Sequence, residues 1–352
     1  MLLPFRRASL VAALVAPLGL GACASSPQTL DRLPRLPSAP DVDLPDAGGD
    51  EEGTSATAGP GTGESGREAA PGAEEDVNGD VPGALSERVR RERREAFNPY
   101  VLTAHRHNFV LPVAYTSALN ETVYREGDVP LREGLVPTEV KFQISLKAQL
   151  NEKDLWLDDD SLWFGVTLEA WWQLYSTDLS SPFRETNYAP ELFYLVPLLW
   201  GPFGGSTTFV VGLEHQSNGQ VQGLSRSWNR LYTSLLYERG NFVVAIRPWY
   251  RLPEEEKEEP GDPEGDDNPD ILDFMGHGEL SLAWRNRRNE YALRVRGNPR
   301  TGNGALTIGA TFPLFGRFRG FIQYFEGYGD SLIDYDHRQR RLGLGVALTN
   351  LF

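Results

Sequence analysis

The sequence predicts an all-β fold, a twelve-stranded antiparallel transmembrane β-barrel preceded by a disordered acidic segment. Three observations support this prediction. Apolar and polar residues alternate along many segments after residue 97. Each segment has at least the roughly 9–11 residues that a tilted strand needs to cross a bilayer. The connections between segments alternate between long and short. Because such strands average out as hydrophilic, the negative mean hydropathy of the chain does not exclude a membrane protein.

The first 23 residues are predicted to be a secretory signal peptide. Two arginines precede an apolar run over residues 10–20, and small residues follow it. The sequence LGAC at 20–23 resembles a bacterial lipoprotein signal, which would leave Cys23 lipidated at the mature N-terminus. Ordinary cleavage nearby is the alternative, because Ala22 and Ala24 also suit a small-residue cleavage site. In both cases the chain is exported, and its single cysteine excludes an internal disulfide.

Residues 24–96 are predicted to form a disordered acidic tether. Up to about residue 92 the segment is rich in Pro, Gly, Ala, Ser and acidic residues and has almost no large apolar side chains. It cannot bury enough surface to offset the entropy of ordering. Residues 41–87 hold 13 Asp and Glu against the single Arg67, so most of the net charge of −15 lies in one segment. This distribution gives no support for a nucleic-acid partner.

The predicted barrel domain covers residues 97–352. Its clearest strand is 137–150, where six apolar residues from Val140 to Leu150 alternate with polar ones. Such a long match to the strand template is hard to obtain by chance. The same alternation predicts twelve strands in all, at 107–117, 137–150, 160–176, 190–199, 206–217, 228–238, 241–252, 270–286, 289–298, 304–313, 316–326 and 339–352.

The connections differ in length at the two ends of the predicted barrel. Long segments such as 117–137 and 253–270 alternate with short ones such as 201–206, an asymmetry typical of outer-membrane barrels. An even strand count places both chain ends on the periplasmic side, and Phe352 fits the aromatic ending that barrel assembly machinery recognises. The alternative is a soluble β-sandwich with one solvated face, but a closed barrel leaves no strand edge to protect.

A potential catalytic group lies near the outer end of the predicted strand 206–217. His215 and Ser217 are two residues apart, so they share a face with the apolar Val211 and Leu213 and are predicted to face lipid. A serine hydroxyl becomes a nucleophile when a neighbouring base takes its proton. Asn229, on the returning strand, has the same orientation and can hold the imidazole in the required tautomer. The alternative interpretation is two polar residues at a membrane interface.

The stretches HQSNG at 215–219 and SRSWNRLY at 225–232 resemble the active-site signature of the outer-membrane phospholipase A family, twelve-stranded barrel hydrolases of Gram-negative bacteria. The resemblance runs from about residue 97 to Phe352 and leaves the acidic tether outside. Other blocks resemble the family in the same order: WWQL at 171–174, SSPFRETNY at 180–188, RPWY at 247–250, DDNPD at 266–270 and GYGDSLIDYDHRQRRLGLGV at 327–346.

The resemblance implies hydrolysis of the acyl ester bonds of glycerophospholipids, of the phospholipase A1, A2 and lysophospholipase type. It implies that Ser217 is the nucleophile and His215 the general base, and that Asn229 orients His215. The backbone amide of Gly219 would help form the oxyanion hole. A channel-forming or non-catalytic outer-membrane barrel is the alternative function.

The resemblance further implies that calcium, a hard cation that prefers oxygen ligands, is the cofactor. The implied ligands are the Ser225 hydroxyl, the Gln220 carbonyl and the Ser180 carbonyl of a second subunit, and Asp267 would be a further calcium-associated acid. Loop composition alone favours another interpretation of the acidic block 266–270, as a solvated loop.

Dimerisation and location are also implied by the resemblance. A homodimer would complete both calcium sites and both substrate clefts. The barrel assembly machinery would insert the chain into the outer membrane, with the active site facing the outer leaflet and the termini in the periplasm. Two positions depart from the family pattern. Gln222 stands where the family can carry an aspartate, and Leu168 stands where a polar interface glutamine is found, so calcium affinity and dimer strength could differ.

Overall fold

The computed structural model describes Arg88, Glu92 and residues 103–126, 134–220, 222–258, 265–316 and 318–350. The predicted signal peptide, nearly all of the predicted tether and Phe352 lie outside the described residues. The strands are β1 (Thr103–Ala104), β2 (Phe109–Thr116), β3 (Thr138–Gln149), β4 (Ser161–Trp172), β5 (Phe183–Leu198), β6 (Ser206–Ser217), β7 (Ser227–Arg239), β8 (Phe242–Arg251), β9 (Gly278–Asn286), β10 (Asn289–Asn298), β11 (Asn303–Pro313), β12 (Arg319–Tyr328) and β13 (Arg338–Ala347).

Twelve of these strands, β2 to β13, form a closed antiparallel barrel. Each strand pairs with the next one along the chain, and β13 pairs with β2 to complete the ring. The two-residue β1 adds to β3. Closure is required in a bilayer, because no water is available there to satisfy the hydrogen bonds of an open sheet edge. The prediction of an all-β, twelve-stranded antiparallel barrel is confirmed.

Alternation along each strand separates the lipid-facing surface from the lumen. In β4, Phe164 and Val166 are 47% and 41% exposed, whereas Trp163 and Trp171 are 2% and 0% exposed. Strand side chains point to opposite faces in turn, so one parity forms an apolar outer belt and the other fills the lumen. The interior cluster consists of Trp163, Phe193, Val210, Trp228, Tyr232, Trp249, Ile271, Met275, Leu332 and Tyr335.

The predicted strand 270–286 is wrong in its first part. Ile271–Met275 is a short α-helix, and β9 begins only at Gly278. Ile271 and Met275 are four residues apart, so the helix turns both of them into the interior cluster, where both are buried. In addition, β5 begins at Phe183, seven residues before the predicted start.

Two α-helices are described, Thr122–Glu126 and Ile271–Met275. Neither these nor any other helix in the described part of the chain is long and apolar enough to cross a membrane.

The chain before the barrel contacts the end of the lumen opposite the long loops. The Arg88 guanidinium donates to the carbonyl oxygens of Ala104 and His105 at 2.7 and 3.1 Å. Glu92 forms an ion pair of 2.6 Å with Lys147 of β3. These contacts tie the described part of the preceding segment to the barrel interior.

A buried ion cluster holds the lumen together below the long loops. Arg184 of β5 and Arg341 of β13 both bind Glu139 of β3, with nitrogen–oxygen distances of 2.6 and 2.8 Å. Asp330 binds Arg341 at 2.7 Å and Lys141 at 2.8 Å. The side chains of all five residues are at most 4% exposed. The cluster therefore links three strands and the β12–β13 loop across the lumen.

We expect Glu139→Gln to destabilise the barrel by about 3–5 kcal/mol, because it leaves two buried guanidinium groups without their shared carboxylate. A matched control is Glu326→Gln, which removes a carboxylate that pairs with the largely exposed Arg338 and Arg340 and should change stability by less than about 1 kcal/mol. Urea unfolding followed by tryptophan fluorescence measures both. Equal midpoints for the two variants would contradict a structural role for the cluster.

Candidate active site

The β6–β7 hairpin brings two of the predicted catalytic side chains into contact. His215 of β6 lies directly opposite Asn229 of β7 in the strand register. His215 Nδ1 and Asn229 Oδ1 are 2.9 Å apart. Because a carboxamide oxygen only accepts hydrogen bonds, Nδ1 carries the hydrogen and donates it. The other imidazole nitrogen, Nε2, is then the one able to accept a proton.

Ser217 lies two residues beyond His215 on the same outward face, at the end of β6. Its hydroxyl oxygen accepts a hydrogen bond of 3.1 Å from the backbone amide of Gly219. Among the described residues no hydrogen bond joins Ser217 to His215. The resting site therefore directs the hydroxyl oxygen toward the Gly219 amide.

The exposure of the neighbouring residues agrees with a lipid-facing position. His215 is exposed, and Leu213 and Leu231 on the same outer face are 49% and 41% exposed. Glu214, of the opposite parity, is 2% exposed and binds Arg230 in the lumen at 2.8 Å. The imidazole thus lies on the outer surface of the barrel wall, beside exposed apolar side chains.

Gly219 follows the strand in a left-handed conformation, with φ of +62°. L-residues rarely adopt this region, so glycine suits the position. An added Cβ would lie 3.6 Å from the Tyr188 ring, so the restriction comes from the backbone rather than from crowding. The turn directs the Gly219 amide back toward Ser217.

The loop between β6 and β7 is organised by Asn218, which is 3% exposed. Its side-chain oxygen accepts from the backbone amides of Gln220 and Arg226 at 3.3 and 2.9 Å. Its amide nitrogen donates to the carbonyl of Leu224 at 2.8 Å. One buried side chain therefore fixes the path of the loop that carries Gly219, Gln220 and Ser225.

Two of the predicted calcium ligands are in contact. The Ser225 hydroxyl donates to Asp267 Oδ2 at 2.5 Å. The other oxygen of Asp267, Oδ1, binds the ammonium of Lys257 at 2.5 Å. Ser180 is exposed in the β4–β5 loop, and no contact in the described part of the chain joins it to Ser225 or Asp267. Gln220 lies in the same loop as Ser225.

The other polar residues of the block 266–270 have structural partners. Asp266 forms an ion pair of 2.5 Å with Arg251 at the end of β8. Asn268, fully buried, accepts a hydrogen bond of 3.0 Å from the backbone amide of Ser227. Asp270 accepts a hydrogen bond of 2.7 Å from Tyr335. This part of the β8–β9 loop is thereby tied to β7, β8 and the β12–β13 loop.

Sequence reasoning missed Lys257, described above, and also a side chain beside Asn229. Glu254 Oε1 accepts a hydrogen bond of 3.2 Å from Asn229 Nδ2. Glu254 belongs to the run EEEKEE at 254–259, which has the composition of a solvated loop. No motif marks it, and only the strand pairing that precedes it could have placed it beside Asn229.

Comparison with known proteins identifies the family. A family model described as Phospholipase A1 matches residues 85–348. A phospholipase A1 of Klebsiella pneumoniae is 37% identical over 259 residues, which cover 72% of this chain and 85% of the relative.

Two solved structures share the fold. One is an Escherichia coli outer membrane phospholipase A with an Asn-to-Ala active-site mutation, at 35% identity and a TM-score of 0.68, covering 75% of this chain and 98% of that one. The other is a Salmonella typhi outer membrane phospholipase dimer with bound calcium, at 34% identity and a TM-score of 0.68, covering 77% and 100%. The match over residues 85–348, together with this identity and shared barrel, shows that the chain belongs to the phospholipase A1 family.

Proposed function

We propose that this chain hydrolyses acyl ester bonds of glycerophospholipids in the outer membrane, with Ser217, His215 and Asn229 as its catalytic triad. The observation that carries the proposal is the His215–Asn229 hydrogen bond of 2.9 Å on the outward face of the barrel, beside Ser217. A catalytic group in this position meets lipid rather than solutes of the lumen. Membership of the phospholipase A1 family and an active-site asparagine in the Escherichia coli relative support the assignment.

In the proposed reaction, the Ser217 hydroxyl oxygen attacks the ester carbonyl carbon while His215 Nε2 accepts the hydroxyl proton. Asn229 keeps the Nδ1 hydrogen in place and so maintains the tautomer whose Nε2 is basic. When the tetrahedral intermediate collapses, the leaving alkoxide takes the proton from His215. Water then attacks the acyl group on Ser217 while His215 takes a proton from the water. As the fatty acid departs, His215 returns that proton to the Ser217 oxygen.

The negative oxygen of the tetrahedral intermediate needs hydrogen-bond donors beside it. The Gly219 amide already lies 3.1 Å from the Ser217 hydroxyl oxygen, so it is close to the carbon that this oxygen would attack. As a backbone group fixed by the turn, it requires little reorganisation during the reaction. Gly219 is therefore the proposed oxyanion donor.

The donors present at the proposed calcium site suit calcium. Ser225 supplies a hydroxyl oxygen and Asp267 a carboxylate, and Gln220, with its carbonyl, belongs to the same β6–β7 connection as Ser225. These are hard oxygen ligands. Bound calcium would supply positive charge that polarises the ester carbonyl and stabilises the oxyanion.

Lys257 competes for this site in our proposal. Its ammonium lies 2.5 Å from Asp267 Oδ1 and neutralises the only carboxylate of the proposed ligand set. Asp267 would offer its full charge to calcium only once the Lys257 ammonium had moved away. The affinity of a single subunit for calcium is therefore reduced by a cation of the chain itself.

A second copy of the chain would complete the site. Ser180 is exposed on the outer end of the β4–β5 loop, where a partner subunit can reach it. The Salmonella typhi relative forms a dimer with bound calcium. Leu168 is on the outward parity of β4, which places an apolar side chain on the surface that would pack against the partner. The barrel assembly machinery would insert the chain, with the site at the outer leaflet and the termini in the periplasm.

We expect Ser217→Ala to lower fatty-acid release from phospholipid in detergent micelles by at least about a thousandfold, because the nucleophile is lost. The barrel should remain folded, as judged by its heat-modifiable mobility in gels. Ser117→Ala, an exposed serine in another long loop, serves as the matched control and should retain full activity. Near-native release by the Ser217 variant would overturn the assignment of the nucleophile.

Calcium should be required both for hydrolysis and for dimerisation. With calcium, we expect fatty-acid release together with a cross-linked dimer in detergent, and EDTA should remove both. Asp267→Asn should raise the calcium concentration needed for half-maximal dimerisation. Activity that survives EDTA would leave the triad in place but exclude the calcium role, and no release under any condition would favour a non-catalytic barrel.

Lys257→Gln should tighten calcium binding by roughly fivefold to tenfold, because Asp267 then keeps its full charge for the metal. Isothermal titration calorimetry measures the affinity directly, without reference to activity. The control is Lys153→Gln, which removes an exposed lysine from the β3–β4 turn at the opposite end of the barrel. Unchanged calcium affinity in the Lys257 variant would show that the ion pair does not compete with the metal.

A further inference from the structure

Glu254, just past the end of β8, continues a row of polar side chains that begins on the outer surface of β6 and β7. His215 of β6 lies opposite Asn229 of β7. Just past the end of β8, the Leu252 amide donates to the Asn229 carbonyl at 2.8 Å. Two residues later, Glu254 Oε1 accepts from Asn229 Nδ2 at 3.2 Å. His215, Asn229 and Glu254 therefore lie side by side, in a row that runs perpendicular to the strands.

Strand pairing places Glu254 on the correct face for this contact. Tyr250, near the end of β8, is 61% exposed and faces outward. Leu252 and Glu254 have the same parity, and Leu252 still pairs with β7 through Asn229. Because residues two apart share a face, Glu254 reaches the side chain of Asn229 rather than the lumen.

We propose that Glu254 is a positioning residue of the active site, which fixes the Asn229 carboxamide and supplies negative charge behind the His215–Asn229 pair. This inference rests on the proposed function. It adds a supporting residue behind the triad, from the acidic run 254–259, to which the sequence analysis assigned no role.

Glu254 can fix the orientation of the Asn229 side-chain amide because the oxygen and the nitrogen of that amide have different partners. With Nδ2 donating to Glu254, Oδ1 faces His215. Turning the amide over would place Oδ1 against the carboxylate and Nδ2 against the Nδ1 hydrogen, which are two repulsive contacts. Glu254 thus selects the orientation that His215 requires.

The electrostatic effect follows from the charge that develops during the reaction. When His215 accepts the serine proton it becomes an imidazolium, and Asn229 is neutral. Glu254 places a carboxylate one hydrogen bond further away, so the charge is partly balanced through Asn229. A half-buried carboxylate at the edge of the bilayer is screened less than one in open water.

The ionisation of Glu254 is set by its surroundings. Burial, and then the neighbouring Asp266 carboxylate, raise the pKa of Glu254 above its ordinary value. Arg251, the hydrogen bond from Asn229 and the nearby His215 act in the opposite direction. The charge of Glu254 is therefore present at high pH and is lost, as the pH falls, earlier than that of an ordinary glutamate.

The test compares Glu254→Ala, Glu254→Gln and Glu254→Asp with the matched control Glu256→Ala, an exposed acid of the same loop. We expect Glu254→Ala to lower kcat about tenfold with little change in KM. Glu254→Gln keeps a hydrogen-bond acceptor without the charge, so its kcat should fall less than that of Glu254→Ala. Glu254→Asp keeps the charge and should recover part of the rate, and Glu256→Ala should match the native enzyme.

Coupling to Asn229 distinguishes positioning from general loop stability. In an Asn229→Ala background, Glu254→Ala should cause no further loss of kcat, because its effect passes through the missing carboxamide. Calcium affinity, measured by calorimetry, should be unchanged in Glu254→Ala. The difference in kcat between the native enzyme and Glu254→Gln should disappear as the pH falls through the raised pKa of Glu254, because the native side chain then also loses its charge.

Two results would overturn the inference while leaving the proposed function intact. One is a Glu254→Ala kcat equal to that of Glu256→Ala in an enzyme that Ser217→Ala inactivates. The other is an equal effect of Glu254→Ala with and without Asn229, which would indicate a role in the fold of the loop. An inactive native protein would instead refute the proposed function itself.

Discussion

The structure depends on the closure of its backbone hydrogen bonds into a ring. Within a bilayer an open strand edge has no partner, so the twelve strands must pair with one another until the last meets the first. Once the ring is closed, the position of a residue along its strand decides whether its side chain faces outward or into the lumen. His215 faces lipid and its neighbour Glu214 faces the lumen for this reason alone. An insertion of one residue in β6 before Glu214 would exchange the two positions and move the proposed catalytic imidazole into the barrel.

The polar lumen gives the outer site a rigid support. Behind the hairpin, Glu214 binds Arg230 and Arg247, and nearer the long loops Glu139 binds Arg184 and Arg341. Buried charges are tolerated when they are paired and hydrogen-bonded, and here the partners come from different strands. The loops at that end are in turn fixed by buried amides. Asn218 shapes the β6–β7 loop and Asn268 joins the β8–β9 loop to β7. The site therefore lies on a hairpin whose two strands and two flanking loops are all held by the interior.

The strands and the faces of their side chains could be predicted from the sequence, whereas the contacts of residues in the long loops could not. The bounds of β6 and β10 agree with the predicted strands, because period-two alternation can be recognised in the sequence without knowledge of the rest of the fold. The shared outward face of His215 and Asn229 could also be predicted from parity, whereas their direct opposition depends on the long connection 218–226, whose register the sequence does not reveal. The helix Ile271–Met275 was read as strand, because a short apolar run is ambiguous between the two structures. Glu254 and Lys257 carried no signal, because their partners lie in β7 and at the far end of the same loop.

Both of these unforeseen residues belong to the β8–β9 loop, and their charges act on opposite parts of the proposed reaction. Glu254 contacts Asn229, the residue proposed to orient the base, and Lys257 binds the carboxylate of the proposed metal site. The loop is anchored to the barrel by Arg251 with Asp266 and by Asn268 with the backbone of Ser227. Because each contact spans only one or two side chains, a small displacement of the loop would alter the base and the metal site together. In this architecture the strands determine where the proposed active site lies, while one loop outside the strands carries the charges that, under the proposed function, would adjust its rate and its calcium affinity.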